Sequence, residues 1–258
     1  MNCYNIIIRG VVKMYKHIRY FAPVCVLLCL SAALVSCTGR DKPEEGGSNY
    51  IYTPAQTTSA ETTAEAVKDF VIDNSWHENY EVSYKYYNSQ QGEETVNIRE
   101  KKTASAFTVE YVDTGAVLYY KANGDNTDYY VIVPDEAEQA HSVLSGKKFS
   151  SLSSMFMKLS AVDETLAQQS NVLYMYDEKI AGRSCHKYIQ RAYSGGELTQ
   201  TVYVWIDSQY GFAAKCEAYD AAEKLVSLWE ISEFETGKLS DADVELDLSG
   251  YEFVEEVG

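Results

Sequence analysis

The chain has 258 residues and a formal net charge of −16 at pH 7, from 22 Lys and Arg against 38 Asp and Glu. A surface this acidic repels the phosphates of nucleic acids and of anionic lipid headgroups, so we expect no nucleic-acid partner and no charge-driven membrane contact. The length suits one single-cored domain after short N-terminal segments.

The N-terminus carries the pattern of a lipoprotein signal peptide. A basic stretch from Lys16 to Arg19 precedes an apolar run from Phe21 to Val35, and small residues lead directly into Cys37. About 15 apolar residues interrupted by Pro23 are fewer than the roughly 20 that a bilayer-spanning helix needs. The pattern therefore predicts removal of residues 1–36 and acylation of Cys37. We expect an extracytoplasmic protein that is lipid-anchored to a bacterial membrane, at the cell surface or in the periplasm.

A flexible tether and then a folded domain are predicted next. Residues 37–62 are rich in Thr, Ser, Gly, Pro and Glu and hold few apolar residues, so they cannot form a core. The domain is expected over residues 63–258. Thr62 and Glu65 match a capping box, and the apolar spacing that follows predicts a short helix ending near Asn74.

From Tyr80 the apolar period changes from 3.6 to 2, which is typical of a half-exposed strand. Val82 and Tyr84 lie on its apolar face. Alternation predicts further strands at 95–101 (with Val96 and Ile98 inward), 106–112 (with Val109 and Tyr111 inward), 115–122 and 127–133. Turn signals, above all Asn123-Gly124, separate them, so an antiparallel meander is indicated.

Two helices are predicted in the middle of the domain. Asp135 and Glu138 match a cap for a helix that ends at Gly146. A second helix is predicted over residues 152–166, with an apolar stripe that includes Met155 and Phe156. Such a stripe either packs as plain core or closes a ligand cavity.

A second group of strands is predicted at 172–177, 183–193, 197–207, 212–219, 224–234 and 251–254. The predicted fold class is therefore α+β: a curled antiparallel sheet of about 11 strands that forms a half-open β-barrel with internal or lid helices. Cys185 and Cys216 fall on strands that would flank a single middle strand. Two strand spacings of about 4.8 Å put their Cα atoms beyond the roughly 7 Å that a disulfide allows, so unbonded thiols are expected.

One segment of the second strand group resembles a known superfamily. Ile180-Ala-Gly-Arg-Ser-Cys-His-Lys-Tyr188 is followed by Val204-Trp-Ile-Asp207, then Gly211 and Lys215. This pattern is similar to the glycine-containing strand and the following hairpin of the lipoprotein-carrier superfamily, which includes LolA, LolB and LppX-type lipoproteins. The resemblance implies an incompletely closed antiparallel barrel with a helical lid that shields acyl chains or other apolar ligands. The expected lipid anchor places the chain nearer to LolB and LppX-type proteins than to LolA.

We therefore predict a binding protein that holds an apolar ligand, such as an acyl chain, a lipid or a lipoprotein, without transforming it. The candidate lining residues of its cavity are Val82, Tyr84, Val109, Tyr111, Met155, Phe156, Tyr188 and Trp205. An alternative is an interaction or sensory module that fills its cavity with its own side chains and engages an envelope protein. A third is a glycan binder that uses an exposed groove of tyrosines: Tyr84, Tyr86, Tyr120, Tyr129 and Tyr174.

No catalytic signature is present, and no cofactor is predicted. His77, His141 and His186 belong to no metalloprotease motif, and His186 is best interpreted as a histidine satisfied in the core or at its rim. Oxygen ligands from Asp241 to Glu252 have the spacing of a calcium loop, but Leu246 stands where that loop needs glycine. Alternation in the same segment favours an edge strand.

Overall fold

The computed structural model describes residues 73–90, 92, 94–162 and 172–255. The strands within them are β1 (Tyr80–Asn88), β2 (Val96–Lys102), β3 (Ala106–Tyr111), β4 (Ala116–Asn123), β5 (Asn126–Ile132), β6 (Glu138–Leu144), β7 (Val172–Ile180), β8 (Arg183–Ser194), β9 (Glu197–Asp207), β10 (Ala213–Asp220), β11 (Leu225–Thr236) and β12 (Glu252–Glu255). The α-helix is α1 (Met155–Ser160), and short 3₁₀ helices span Asn74–Glu78, Phe149–Ser151 and Asp241–Asp243. The signal peptide, Cys37 and the tether lie outside the described residues.

All of these strands belong to one 12-stranded sheet in the order β12-β6-β5-β4-β3-β2-β1-β11-β10-β9-β8-β7. Consecutive strands pair antiparallel from β1 to β6 and again from β7 to β11. Antiparallel pairing of β1 with β11 joins the two groups, and β12 lies parallel to β6. Because β7 and β12 remain as edges, the curled sheet is unclosed. The predicted half-open barrel is confirmed, with twelve strands rather than about eleven.

The helix predicted over residues 135–146 is wrong, because Glu138–Leu144 forms strand β6. Asp135 has a positive φ of 65° and lies in the turn before β6 instead of capping a helix. The side chain of Gln139 is buried, where its Oε1 accepts from the Val133 amide at 2.7 Å and its Nε2 donates to the Val133 carbonyl at 3.1 Å. Pairing with β5 and the two hydrogen bonds of Gln139 to Val133 stabilise a strand here, although the few apolar residues have helical spacing.

The second predicted helix is present only in its middle. α1 has six residues, and the Ser154 side chain caps it by accepting from the Met157 amide at 3.0 Å. Leu152 precedes the helix, and residues 163–166 lie outside the described part of the chain. The helix predicted from Thr62 also lies outside it, apart from a 3₁₀ turn at Asn74–Glu78. Within the described residues, no helix has the length and apolarity needed to cross a bilayer.

The face of the sheet that carries α1, called here the inner face, holds most of the core. Alternate residues of β1 point to this face and are at most 5% exposed: Tyr80, Val82, Tyr84 and Tyr86. Their partners on β11 include Trp229 opposite Tyr86 and Ile231 opposite Tyr84, and both are buried. Period-two burial on paired strands therefore builds a continuous apolar surface beneath the helix.

The two described cysteines behave as the strand positions predicted. Cys185 lies on β8 and Cys216 on β10, with β9 between them, and no disulfide is formed. Cys185 is fully buried, and this burial, with the nearby charge of Asp207, raises the pKa of its thiol to about 12.

We expect Cys185 to resist alkylation in the folded protein, because the thiolate is the reactive form and burial disfavours it. Cys216 is only half-buried and should be modified first. Mass spectrometry of peptides after iodoacetamide treatment, with and without denaturant, measures both. Equal labelling of the two thiols in the native protein, or a Tm that falls on addition of a reductant, would contradict this prediction.

Candidate ligand site on the inner face

The centre of the inner face is occupied by the side chain of Phe156 from α1. This ring is 0% exposed and lies among six other aromatic rings. The ring centroids are separated from that of Phe156 by 5.3 Å for Trp76, 5.5 Å for Tyr80, 5.8 Å for Phe212, 5.9 Å for Tyr84, 6.0 Å for Phe234 and 6.1 Å for Trp229. The helix therefore inserts one aromatic side chain into a seat formed by β1, β11 and the segments beside them.

All eight predicted lining residues are buried, but the structure does not bring all of them to one place. Seven belong to the main core cluster, Trp205 among them. Six of these lie on or beside the inner face: Val82, Tyr84, Val109, Tyr111, Met155 and Phe156. Tyr188 belongs to a separate small cluster with Val172 and Ile206. Its hydroxyl is buried, and the phenol pKa is raised to about 12, chiefly by burial.

Trp205 lies on the opposite face of the sheet from Phe156. Val204 is paired with Cys216, and Cys216 with Trp229, so these three share the inner face. Side chains alternate along a strand, which turns Trp205 away from that face. Its ring is packed instead beneath the ammonium groups of Lys187 at 4.4 Å and Lys215 at 4.8 Å.

Sequence reasoning missed the most unusual group of the inner face, the buried carboxyl of Glu100. Tyr84 donates to its Oε1 at 2.7 Å, and Tyr80 donates to its Oε2 at 3.2 Å. The backbone amide of Phe156 donates to Oε1 at 3.1 Å, so the carboxyl also holds the first turn of α1. Ser154 completes the cluster, with its hydroxyl oxygen 2.6 Å from that of Tyr80.

Burial raises the pKa of Glu100, and the hydrogen bonds from Tyr84, Ser154, Phe156 and Tyr80 oppose part of that rise. The same burial, together with the charge of Glu100, raises the pKa of both tyrosines well above the usual value. The tyrosines therefore keep their protons and act as donors to the carboxyl. Glu100 follows Val96 and Ile98 at the inward positions of β2, and this placement was the one signal available in the sequence.

Lys102 occupies the next inward position of β2 and is also buried. Its Nζ donates to the carbonyl oxygen of His77 at 2.9 Å and contacts Met157 Sδ at 3.5 Å. Burial lowers the pKa of Lys102, while the charges of Glu78 and Glu100 raise it. Lys102 is the last residue of β2, and its ammonium group is directed to the 3₁₀ turn and to α1.

His186 and the acidic segment from Asp241 to Glu252 both have structural roles. His186 is half-buried, and its Nδ1 lies 2.5 Å from Asp177 Oδ1. The Asp243 carboxylate accepts from the Ser240 amide at 2.7 Å, and that of Asp247 accepts from the Ser249 amide at 2.9 Å, so both shape local turns. The edge strand predicted here begins only at Glu252. Among the described residues, no group of three or more His, Cys, Asp or Glu side chains is placed to hold a metal ion.

The tyrosine groove that a glycan binder would need is not formed by the predicted residues. Tyr84, Tyr86 and Tyr120 are each at most 5% exposed, so their faces are closed to a sugar. A cavity of about 320 Å³ does open elsewhere, between the turn before β6 and the segment before β12. None of the eight predicted lining residues contributes to it.

The hairpin that carries the superfamily resemblance is fixed by the buried carboxylate of Asp207. Its Oδ2 accepts from Arg183 Nε at 2.6 Å, and its Oδ1 accepts from the amides of Gln209 and Tyr210 at 2.9 and 2.8 Å. Gly211 has φ +72°, which lets the chain reverse, and its amide donates to the Asp207 carbonyl at 2.9 Å. The Asp and Gly of this pattern are thus explained by the turn itself.

We expect Asp207→Ala to lower the free energy of unfolding by about 3 kcal/mol, because it leaves Arg183 and two backbone amides without their buried acceptor. Asp220→Ala is the matched control: this carboxylate also accepts two turn amides, at 2.9 Å each, but in an exposed turn. Its expected cost is about 1 kcal/mol. Urea denaturation measures both, and equal losses would show that burial of Asp207 does not matter.

Comparison with solved structures finds proteins whose backbones resemble this one at low sequence identity. An uncharacterized conserved protein from Thermus thermophilus has a TM-score of 0.41 at 11% identity, covering 69% of this chain and 91% of that one. MucB has a TM-score of 0.39 at 12% identity, covering 67% and 58%. A LolA superfamily protein from Nitrosomonas europaea has a TM-score of 0.26 at 12% identity, covering 66% and 90%. All three TM-scores lie below 0.5, so these likenesses carry no argument about function.

No protein-family model and no curated protein matches the chain. The curled, unclosed antiparallel sheet with its helix is nevertheless the architecture that the resemblance to lipoprotein carriers implied.

Proposed function

We propose that this chain is a lipid-anchored extracytoplasmic binding protein, which holds an apolar ligand on the inner face of its half-barrel without transforming it. The ligand would be an acyl chain, a lipid or the lipid part of a lipoprotein. The observation that carries the proposal is the aromatic seat around Phe156, which one short helix fills. An apolar face of this kind suits a ligand of the same chemistry.

The helix that fills the seat is suited to being exchanged for a ligand. α1 has only six residues, and a helix this short is not stable alone in water. Its position therefore depends on contacts with the sheet, chiefly those of Met155, Phe156 and Leu159, which are all buried. A ligand that offered the same apolar contacts would replace the helix at small net cost. Burial of the ligand's apolar surface would offset the exposure of the α1 side chains.

Native mass spectrometry of the protein before and after organic extraction tests the proposal directly. We expect a lipid-sized mass that extraction removes, and identification of the extract gives the ligand class. If the protein shows only its own mass and takes up nothing from a panel of lipids, the ligand-binding proposal is overturned.

We expect Cys37→Ala to abolish lipid attachment, because no other residue supplies the thiol at the predicted cleavage point. Metabolic labelling with an alkyne fatty acid, followed by membrane fractionation, measures this loss. Cys29→Ala, within the predicted signal peptide, is the control and should leave labelling unchanged. Labelling that persists in Cys37→Ala would refute the predicted anchor.

A second candidate function is an envelope interaction module whose interior is filled by its own side chains. The burial of all eight predicted lining residues favours it, as does the edge strand β7, where Leu173 and Tyr176 are each 46% exposed. An exposed edge can accept a strand from a partner protein. Cross-linking in cells from cysteines placed at these two positions would identify such a partner, and the absence of any cross-linked protein would count against it.

A further inference from the structure

We propose that Glu100 selects the polar end of the ligand, which we assign as a hydrogen-bond donor attached to an apolar chain, as in a monoacylglycerol. This inference rests on the proposed ligand site. It predicts discrimination against amphiphiles of the same chain length that carry an anionic head group.

Both oxygens of the Glu100 carboxyl accept hydrogen bonds. Its oxygens receive hydrogen bonds from two tyrosines of β1 and from the amide of Phe156, so it is used as an acceptor throughout. When α1 leaves the inner face, Tyr80 and Tyr84 stay with the sheet, but the amide of Phe156 is withdrawn. A buried acceptor that loses a donor carries a desolvation cost, which a ligand donor would relieve.

The placement of the apolar and polar parts of α1 defines the shape of the ligand. The Phe156 ring occupies the aromatic seat, while the amide of the same residue lies 3.1 Å from Glu100 Oε1. A ligand that takes over both positions therefore needs an apolar chain that begins directly beside its donor group. A fatty-acid carboxylate or a phosphate placed there would meet the carboxyl of Glu100 with like charge.

Lys102 is the cation nearest in sequence on the same face, and it could instead attract an anionic head group. Its Nζ is already directed to the His77 carbonyl and to Met157 Sδ. Glu100, by contrast, lies directly at the first turn of α1. We therefore assign head-group selection to Glu100, and the experiment includes Lys102 as the competing possibility.

The test compares 1-monopalmitoylglycerol with palmitate, which share one acyl chain, on the full chain held in an amphipathic polymer at pH 8. Tryptophan emission reports binding, because Trp76 and Trp229 contact the Phe156 ring. Trp205→Phe removes the signal from the other face. We expect the monoacylglycerol to bind about tenfold more tightly, and Glu100→Gln to reduce the preference to about threefold or less, because glutamine is uncharged and also offers a donor.

Glu110→Gln is the control, since this carboxylate belongs to the neighbouring strand β3 and forms a partly exposed pair with Arg99 at 3.4 Å. It should leave the preference unchanged, as should Lys102→Met. Palmitate that binds as tightly as the monoacylglycerol, or a preference that responds to Lys102→Met, would overturn the assignment to Glu100 and leave the ligand site standing. Failure of both probes to bind the wild-type chain would overturn the site and the assignment together. A preference that stays at about tenfold in Glu100→Gln would likewise overturn the assignment to Glu100.

Discussion

Phe156→Ala is expected to lower the free energy of unfolding by about 4 kcal/mol and, at the same time, to open the inner face to apolar molecules. The ring is fully buried and lies within 6.1 Å, centroid to centroid, of six aromatic neighbours. Removing a buried phenylalanine typically costs about 3–5 kcal/mol, and the loss grows with the cavity that remains. The six neighbouring rings are attached to strands and loops of the fold, so they cannot all move inward to fill the cavity that the Phe156 ring leaves.

Denaturation in urea gives the stability, and uptake of benzene or a short alkane by the folded variant gives the cavity. An apolar cavity stays free of water and accepts such probes. Phe253→Ala is the control, because Phe253 lies half-buried on β12, with its ring 5.2 Å from that of Tyr130, away from α1. It should cost about 1 kcal/mol and create no binding. A folded Phe156→Ala protein that takes up no probe would show that the inner face repacks, and would favour the interaction module over the ligand carrier.

The strands could be predicted because burial on this sheet follows period two so closely. β1 alternates buried and half-buried residues along its whole length, and the predicted start at Tyr80 is the observed one. β9 was predicted with the same bounds as those observed, Glu197–Asp207. Turn residues with positive φ, such as Gly124 at 58°, mark the ends of the hairpins. Local sequence therefore specifies the elements where side-chain alternation and turn chemistry agree.

Where local signals conflict with pairing, the sequence misleads. Strand β6 was predicted as a helix because Asp135 and Glu138 imitate a capping box. Its conformation depends on the β5 backbone beside it and on the hydrogen bonds of Gln139, neither of which a short window contains. The order of strands also required the β1–β11 contact, which joins residues about 150 positions apart in the chain.

The apolar positions of the inner face could be predicted from the sequence, whereas the buried carboxyl among them was missed. Tyr84 and Phe156 meet on the inner face as expected, because both follow the periodicity of buried positions. Glu100 follows the same periodicity. Because acidic residues are rarely buried, its position in the pattern did not identify it as a buried residue. Hydrogen bonds from the first turn of α1 and from two tyrosine hydroxyls help to make its burial tolerable.

Glu100 is expected to give the protein a component of stability that increases as the pH falls. Burial raises the pKa of this carboxyl above its ordinary value of 4.5, so the folded chain binds a proton more readily there than the unfolded chain does. Stability from this group is therefore fully present below the unfolded pKa and is lost as the pH rises through the folded pKa. The groups that face it are Tyr80, Tyr84 and Ser154, with Lys102 two residues along the strand, and the tyrosines remain protonated across this range.

The measurement is the difference in unfolding free energy between wild type and Glu100→Gln at a series of pH values from 4.5 to 8. Taking the difference removes the contribution of the many surface carboxylates that the two proteins share. We expect wild type to gain stability relative to the variant as the pH falls toward 4.5, since glutamine does not titrate. Glu110→Gln, at a partly exposed carboxylate beside Arg99, is measured in parallel as the matched control. A difference that stays constant with pH would mean that the hydrogen bonds to Glu100 offset its burial fully, and that the carboxyl is as well solvated inside the sheet as in water.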